Sequence, residues 1–416
     1  MGSMLELALE PWARRVREKA DLPLRLTWGQ AGTDSLSLGE FDEPRVEIRV
    51  RDPAAWRLLL RPQLDTLGQA YVEGLIDVEG RLDDILDMAH RLSEAGGDDA
   101  DGLLTRLSRQ FVHTRESDSD AIQYHYDVSN AFYAEWLDPA MVYSCAYFEC
   151  GEETLAEAQR KKIDHILTKI RLQPGQRLLD IGCGWGALVL RAAQHFGARC
   201  VGITLSQNQF DLATQRVREA GLADRIEIRL QDYRDVSDGP FDRVTSVGMF
   251  EHVGVGHLAG YFRCLRGLLA QDGWAMNHGI TSTDPRDGET RQGGGRFIER
   301  YVFPRGELPH IGTVLRAMQE GGLETFDVEN LRRHYAHTLR LWSHAFEARA
   351  DRIRSLVDEK RWRIWRVYLA GSAWAFEHDE IALFQVVCHP ASGASGELPW
   401  SRHWMYEGPD PGGRPA

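Results

Sequence analysis

Residues 177–186 read RLLDIGCGWG, and the fold turns on how that stretch is read. RLLDIG is a short apolar run of the kind a buried strand carries, and from Ala187 the spacing becomes helical. Between the two, Asp180-Ile181-Gly182-Cys183-Gly184-Trp185-Gly186 puts glycines where a chain must turn sharply and where backbone can approach a ligand without a Cβ in the way. Such a loop sits at the carboxyl end of a strand, the side of an open α/β sheet on which ligands bind. The spacing is G-x-G-x-G, not the G-x-G-x-x-G of a dinucleotide site. The next strand ends in Thr204-Leu205-Ser206-Gln207, with no carboxylate for a ribose. A phosphate-binding loop would need Gly-Lys-Ser/Thr, which is absent.

Outward from this loop the chain alternates. Strands are predicted at 199–205, 225–232, 241–248 and 273–280, and helices at 187–195, 207–220 and 258–269. Repeated βα units with short connections imply a parallel sheet covered on both faces, an α/β fold. Upstream, helices at 5–19, 54–60 and 82–92 and strands at 23–28 and 45–51 predict a smaller α+β domain over 1–95. The small, acidic stretches SEAGGDDADG and RESDSD mark a linker over 96–120, in which Leu103, Leu104, Leu107 and Phe111 predict one short amphipathic helix. The main domain then runs over 121–395, with a tail at 396–416.

Composition bounds the function. With 416 residues, 43% hydrophobic and 27% charged, the chain is globular and long enough for two or three domains. A net charge of −13 argues against general nucleic-acid binding. No uncharged apolar run reaches the length of a membrane span, and the leading MGSMLELALEPWARR lacks the order of an export signal. The six cysteines form neither a C-x-x-C pair nor a zinc pattern, so reduced thiols in the cytoplasm are expected.

Three further features carry chemistry. Residues 124–148 hold eight aromatics, Tyr124, Tyr126, Phe132, Tyr133, Trp136, Tyr143, Tyr147 and Phe148, mixed with Asp127, Ser129, Asn130 and Ser144. Aromatics at this density make core, and their faces also attract cations. Glu251, in Phe250-Glu251-His252-Val253-Gly254, follows the fourth strand of the main sheet. It either complements a helix N-terminus or faces the ligand crevice. His278, in Asn277-His278-Gly279-Ile280, stands at the equivalent edge of the next strand, and the pair is more specific than either residue alone.

Together YHYDVSNAFY (124–133), YSCAYF (143–148), LLDIGCGWG (178–186), GITLSQNQ (202–209), FEHVG (250–254), FIERYVFP (297–304) and RRHYAHTLRLW (332–342) resemble the cyclopropane-fatty-acyl-phospholipid synthases, the family of the mycolic acid cyclopropane synthases. The resemblance covers essentially all of 121–390. It implies a Rossmann-like S-adenosylmethionine-dependent methyltransferase domain, with D-x-G-x-G-x-G as its first motif. Its cofactor residues would be Tyr143, Ser144, Gly182, Cys183, Gly184, Thr204, Leu205, Ser206, Gln207, Asn208, Gln209, Tyr233 and Arg234, with Asp232 where that fold contacts adenine. It also implies a bicarbonate ion held by Glu251, His278, Tyr335 and the backbones of Cys145 and Ile280. The leading domain, with GQAYVEGLIDVEGRLDDIL (68–86), is similar to the lipid-binding domain of the phospholipid-acting members. The substrate implied is therefore an unsaturated phospholipid at the inner face of the cytoplasmic membrane, and its product a cyclopropane ring formed through a carbocation that bicarbonate deprotonates. Methyl-branched products and a catalytically impaired lipid-binding member are the alternatives. In one departure Gly371-Ser372-Ala373 stands where the family commonly has Gly-Cys-Ala. Either a thiol is unnecessary there or the protein is impaired.

The membrane contact expected from sequence is 349–366, RADRIRSLVDEKRWRIWR, with seven basic and three acidic residues around Trp362 and Trp365. A solvated helix face is the plainer alternative. A homodimer would add avidity at such a surface.

Overall fold

The computed structural model describes residues 4–29, 32–96, 128–285, 295–303, 306–391 and 398–406. The expected helix near 103–111, and Tyr124, Tyr126 and Asp127, lie outside the described residues. The described chain falls into two compact units. The first takes residues up to 96 together with 295–303 and 357–374. The second takes 128–285, 306–356 and 375–406.

In the first unit β1 (Leu24–Trp28), β2 (Asp34–Ser37), β3 (Val46–Val50) and β4 (Ile76–Gly80) form a sheet in the order β2-β1-β3-β4. β1 and β3 are parallel and the other pairs antiparallel. β3 reads VEIRV, and its alternation buries Val46, Ile48 and Val50 while Glu47 and Arg49 stay half-buried. Two segments from far along the chain complete this unit. In helix Gly295–Tyr301, Phe297 packs so closely on Gly68 that a Cβ there would stand 3.0 Å from its ring, and Tyr301 donates to Glu73 at 2.8 Å. From helix Glu359–Glu377, Arg363 donates to the Tyr71 carbonyl at 2.9 Å and pairs with Asp77 at 2.7 Å. Trp362 and Trp365, expected on a lipid-facing surface, are each only 4% exposed. The rings belong to the core and two of the basic residues, Lys360 and Arg363, pair with Glu73 and Asp77, so these four side chains do not form the lipid-facing surface expected of them.

The second unit is built on β5 (Arg177–Ile181), β6 (Arg199–Thr204), β7 (Ile226–Leu230), β8 (Phe241–Val247), β9 (Leu269–Ser282), β10 (Leu323–Asn330) and β11 (Ile381–Pro390). Their order is β10-β11-β9-β8-β5-β6-β7. β5 through β9 run parallel, and β11 inserts antiparallel between β9 and β10. The apolar runs expected of doubly covered strands divide by alternation. Leu178, Cys200 and Met276 join one core with helices Leu155–Lys169 and Ala187–His195. Leu179, Val201 and Ala275 join another with helices Leu258–Leu268 and Ile311–Glu320. The described part of the tail packs on this unit. Arg402 donates to Asp327 at 2.7 Å, and the Trp404 ring lies 6.1 Å from that of Trp274. Among the described residues no helix is long and apolar enough to cross a membrane.

Candidate active site

Strand order reverses at β5, whose neighbours are β6 on one side and β8 on the other. A crevice opens outside the carboxyl ends of strands at such a point. Here a cavity of about 140 Å³ is lined by Asp180 and Ile181 of β5, Ile203 and Thr204 of β6, and Val247 of β8. Gly182, Gly184 and Gly186 all take positive φ, at 80°, 55° and 84°, so the loop needs its glycines. A Cβ on Gly184 or Gly248 would meet nothing within 4 Å, which leaves backbone facing open space. That cradle fits a ligand held closely by the main chain.

Of the expected cofactor residues, Tyr143, Ser144, Gly182, Cys183, Gly184, Thr204, Leu205, Gln209 and Tyr233 line the cavity. Thr204 Oγ1 donates to Gln209 Oε1 at 2.8 Å, so the Gln209 amide offers its NH2 as donor. Ser206, Gln207, Asn208, Asp232 and Arg234 are not among the lining residues. Ser206 is spent as the N-cap of helix Gln207–Glu219, with Gln207 and Asn208 in the turn it caps. Asp232 caps the short turn Tyr233–Asp235 and pairs with Arg234 at 2.7 Å, so the two satisfy each other. Gln231, Trp185, Met249, His252 and Lys162 line the cavity in addition.

Lys162 comes from helix Leu155–Lys169, begun by a capping box between Thr154 and Glu157. Gln159, Lys162, His165 and Lys169 lie three or four residues apart on one buried stripe. Gln159 donates to the carbonyls of Val142 and Ser144 at 3.3 and 2.8 Å, and Lys162 Nζ donates to Ser144 Oγ at 2.7 Å. Burial pushes Lys162 down to about 8. Burial likewise pushes Asp180, which accepts from Thr245 Oγ1 at 2.7 Å, up to about 6. Polar residues at helical spacing inside an apolar pattern were the available signal for this stripe.

The aromatic segment forms a continuous wall. Tyr143 stands 5.6 Å from Tyr133, 5.5 Å from Trp136 and 5.3 Å from Trp342, and Trp342 reaches Tyr335 at 6.0 Å. Tyr133 also meets Trp185 of the glycine loop at 5.0 Å. Trp342 was not singled out from sequence.

Four of the five residues expected to hold an anion, Glu251, Ile280, Tyr335 and Cys145, are linked by a chain of hydrogen bonds, close contact and strand pairing, and His278 stands two residues before Ile280 on β9. Ile280 N–H donates to Glu251 Oε1 at 2.8 Å. Ile280 is paired with Leu383 of β11, whose carbonyl accepts from Leu331 N–H at 2.8 Å. The Leu331 carbonyl in turn accepts from Tyr335 N–H at 3.0 Å and lies 3.9 Å from Cys145 Sγ. None of the five lines the cavity, but Ser144, Met249 and His252, neighbours in sequence to Cys145 and Glu251, do. Ile280, whose backbone is expected at the anion, gives its N–H to Glu251. Among the described residues, Glu251 Oε2 and His278 Nε2 are buried without a partner. Two orphaned polar atoms of this kind, one able to accept and one able to donate, fit a small protonated anion such as bicarbonate. Burial pushes Glu251 up to about 7 and His278 well below its ordinary value. Burial also raises the Cys145 thiol, which makes it a poor nucleophile. Ser372 sits half-buried on helix Glu359–Glu377 and is not a lining residue.

Known proteins resemble this chain over both units. The family described as mycolic acid cyclopropane synthetase matches residues 113–386, and a domain of unknown function matches 12–97. A probable fatty acid methyltransferase of Pseudomonas putida is 45% identical over 92% of this chain and 96% of its own. The tuberculostearic acid methyltransferase UfaA1 of Mycobacterium tuberculosis is 41% identical over 89% of this chain and 88% of its own. Among solved structures, the mycolic acid cyclopropane synthase CmaA1 complexed with SAH and CTAB superposes with a TM-score of 0.62 at 37% identity, covering 65% of this chain and 97% of its own.

Proposed function

The chain belongs to the mycolic acid cyclopropane synthetase family, and from that premise we propose that it transfers a methylene from S-adenosylmethionine to the cis double bond of an unsaturated acyl chain in a membrane phospholipid, closing a cyclopropane ring. The observation that carries this reading is that Glu251 Oε2 and His278 Nε2 are buried without a partner among the described residues, Glu251 standing between the lining residues Met249 and His252 in the chain and His278 paired in the sheet with the lining residue Val247.

Bound in the cleft, S-adenosylmethionine supplies an electrophilic methyl. The alkene π pair bonds to that carbon, the carbon–sulfur pair stays on sulfur, and the other alkene carbon becomes cationic. A proton then leaves the new methyl, and the freed C–H pair closes the ring. Gly182, Gly184, Thr204 and Gln209 would hold the donor, so that orientation replaces a chance encounter. The Tyr143 ring, which lines the cavity and is backed by Trp136 and Trp342, would give the developing cation an electron-rich wall that excludes water. Bicarbonate, held by Glu251, His278, Tyr335 and the Cys145 backbone, would supply a weak base. Glu251, titrating near neutrality, is suited to pass a proton on.

The first unit supports a phospholipid substrate, because CmaA1 covers only 65% of this chain. Incubation with methyl-labelled S-adenosylmethionine and vesicles of unsaturated phospholipid tests the proposal. Label should appear in cyclopropane acyl chains of intact phospholipid. Label confined to free fatty acids would overturn the substrate.

A second reading, in which the cation yields a methyl-branched chain, is favoured by the names of the two relatives that align over nearly their whole length. Gas chromatography with mass spectrometry of the acyl chains separates ring from branch.

A further inference from the structure

We infer that Gln385 and Lys169 are positioning residues that fix His278 as a neutral imidazole with its proton on Nε2. The inference deepens the proposed function and relies on it only for what that N–H holds.

The sheet register sets Glu329 of β10, Gln385 of β11 and His278 of β9 in one row across three strands. Lys169 reaches this row from helix Leu155–Lys169. Its ammonium pairs with Glu329 at 2.7 Å and Asp327 at 3.2 Å, and donates to Gln385 Oε1 at 3.4 Å. All three inner members are sealed off: Lys169 and Gln385 are 0% exposed and His278 is 1% exposed.

The order of donors follows by elimination. An ammonium only donates, so the side of the Gln385 amide that faces Lys169 must be its oxygen. The amide nitrogen therefore faces His278, and it donates to Nδ1 at 3.3 Å. An Nδ1 that accepts carries no proton, so in the neutral ring the proton is on Nε2. Nε2 is buried without a partner among the described residues, so this N–H is left to donate to a ligand that accepts. The far end of the row is anchored as well. Although burial alone would raise Glu329, its hydrogen bond with His165 at 2.8 Å and the charge of Lys169 hold it at about 2, so the acceptor that fixes Lys169 stays ionised. Burial, then the charges of Lys162 and Lys169, disfavour a charged His278.

This matters for the chemistry. An imidazolium beside the anion would draw off its negative charge and weaken it as a base. A neutral N–H orients the anion and leaves its basicity in place.

The full-length protein labelled with ¹⁵N-histidine tests the inference. Long-range ¹H–¹⁵N spectra, with the His278 signals identified by their loss in His278→Asn, should show a protonated Nε2 and a bare Nδ1 at neutral pH. Gln385→Glu keeps the shape and the Lys169 partner but replaces the donor with an acceptor. It should move the proton to Nδ1 or charge the ring. Turnover should fall roughly 10- to 100-fold, the range for groups that orient a ligand's partner, with KM for S-adenosylmethionine unchanged. A wild-type ring protonated on Nδ1 or on both nitrogens would overturn the inference, and so would a tautomer untouched by Gln385→Glu. The spectra are recorded without lipid or bicarbonate, so the failure of either as substrate or base would show in turnover alone.

Discussion

Glu251 pays for its position in stability. Burial lifts its pKa from 4.5 to about 7, so between those values the folded chain keeps a proton that the unfolded chain releases. The folded state is therefore favoured below the lower value and loses ground as pH rises through the upper one, by about 3 kcal/mol at most. Glu251→Gln removes that loss. In urea unfolding, its stability relative to the parent should rise between pH 5 and pH 8, while turnover drops on the order of 100-fold, as for loss of a group that takes part in proton transfer. A flat difference between the two pH values would mean that Glu251 is not buried as a carboxyl. Glu251 and His278 were legible in the sequence because each stands just beyond, or near the end of, a readable strand. Gln385 was not. It lies 107 positions from His278, and only the register of β9 on β11 brings the two together. Asp232, expected where the fold contacts adenine, caps the turn Tyr233–Asp235 and pairs with Arg234, and neither contact shows in the spacing of motifs.

At the scale of elements, the approach of the Phe250–His252 turn to β9 sets where Glu251 can reach. A Cβ on Gly279 would stand 1.9 Å from Phe250 Cε1, so the ring lies directly against bare backbone. Gly279→Ala should cost about 1–3 kcal/mol in thermal unfolding, as overpacked cores do, and should lower turnover by displacing Glu251 from the Ile280 amide. Adding Phe250→Leu should recover part of both losses, a non-additivity that an independent pair of sites would not show. The elements around the glycine loop were readable because period and punctuation agree there: buried runs, glycines at the turn, then helical spacing. Helix Leu155–Lys169 was not read. Its inward face mixes Gln159, Lys162, His165 and Lys169 with apolar residues, and a stripe of that composition looks like solvated surface until its partners are known. β10 escaped for the same reason, since LETFDVEN exposes or half-buries most of its side chains.

For the whole molecule, composition draws a boundary near residue 95, while the compact unit that holds the leading segment draws on more distant stretches as well. The first unit also takes 295–303 and 357–374. Deleting residues 1–110 would uncover Phe297, Tyr301, Trp362 and Trp365, all buried in the intact protein. Such a truncated chain should bind a fluorescent hydrophobic dye and elute as aggregates in size exclusion. A monodisperse product that binds no dye would show that these segments have no need of the leading residues. The interleaving also sets a timetable for synthesis. Trp362 and Trp365 emerge from the ribosome almost 300 residues after β4 is complete, so the earliest-made part of the protein waits on the latest for its last core side chains. Its four strands are all made by Gly80 and must persist through most of translation without those side chains, so the N-terminal region, first to be made, is among the last to become native.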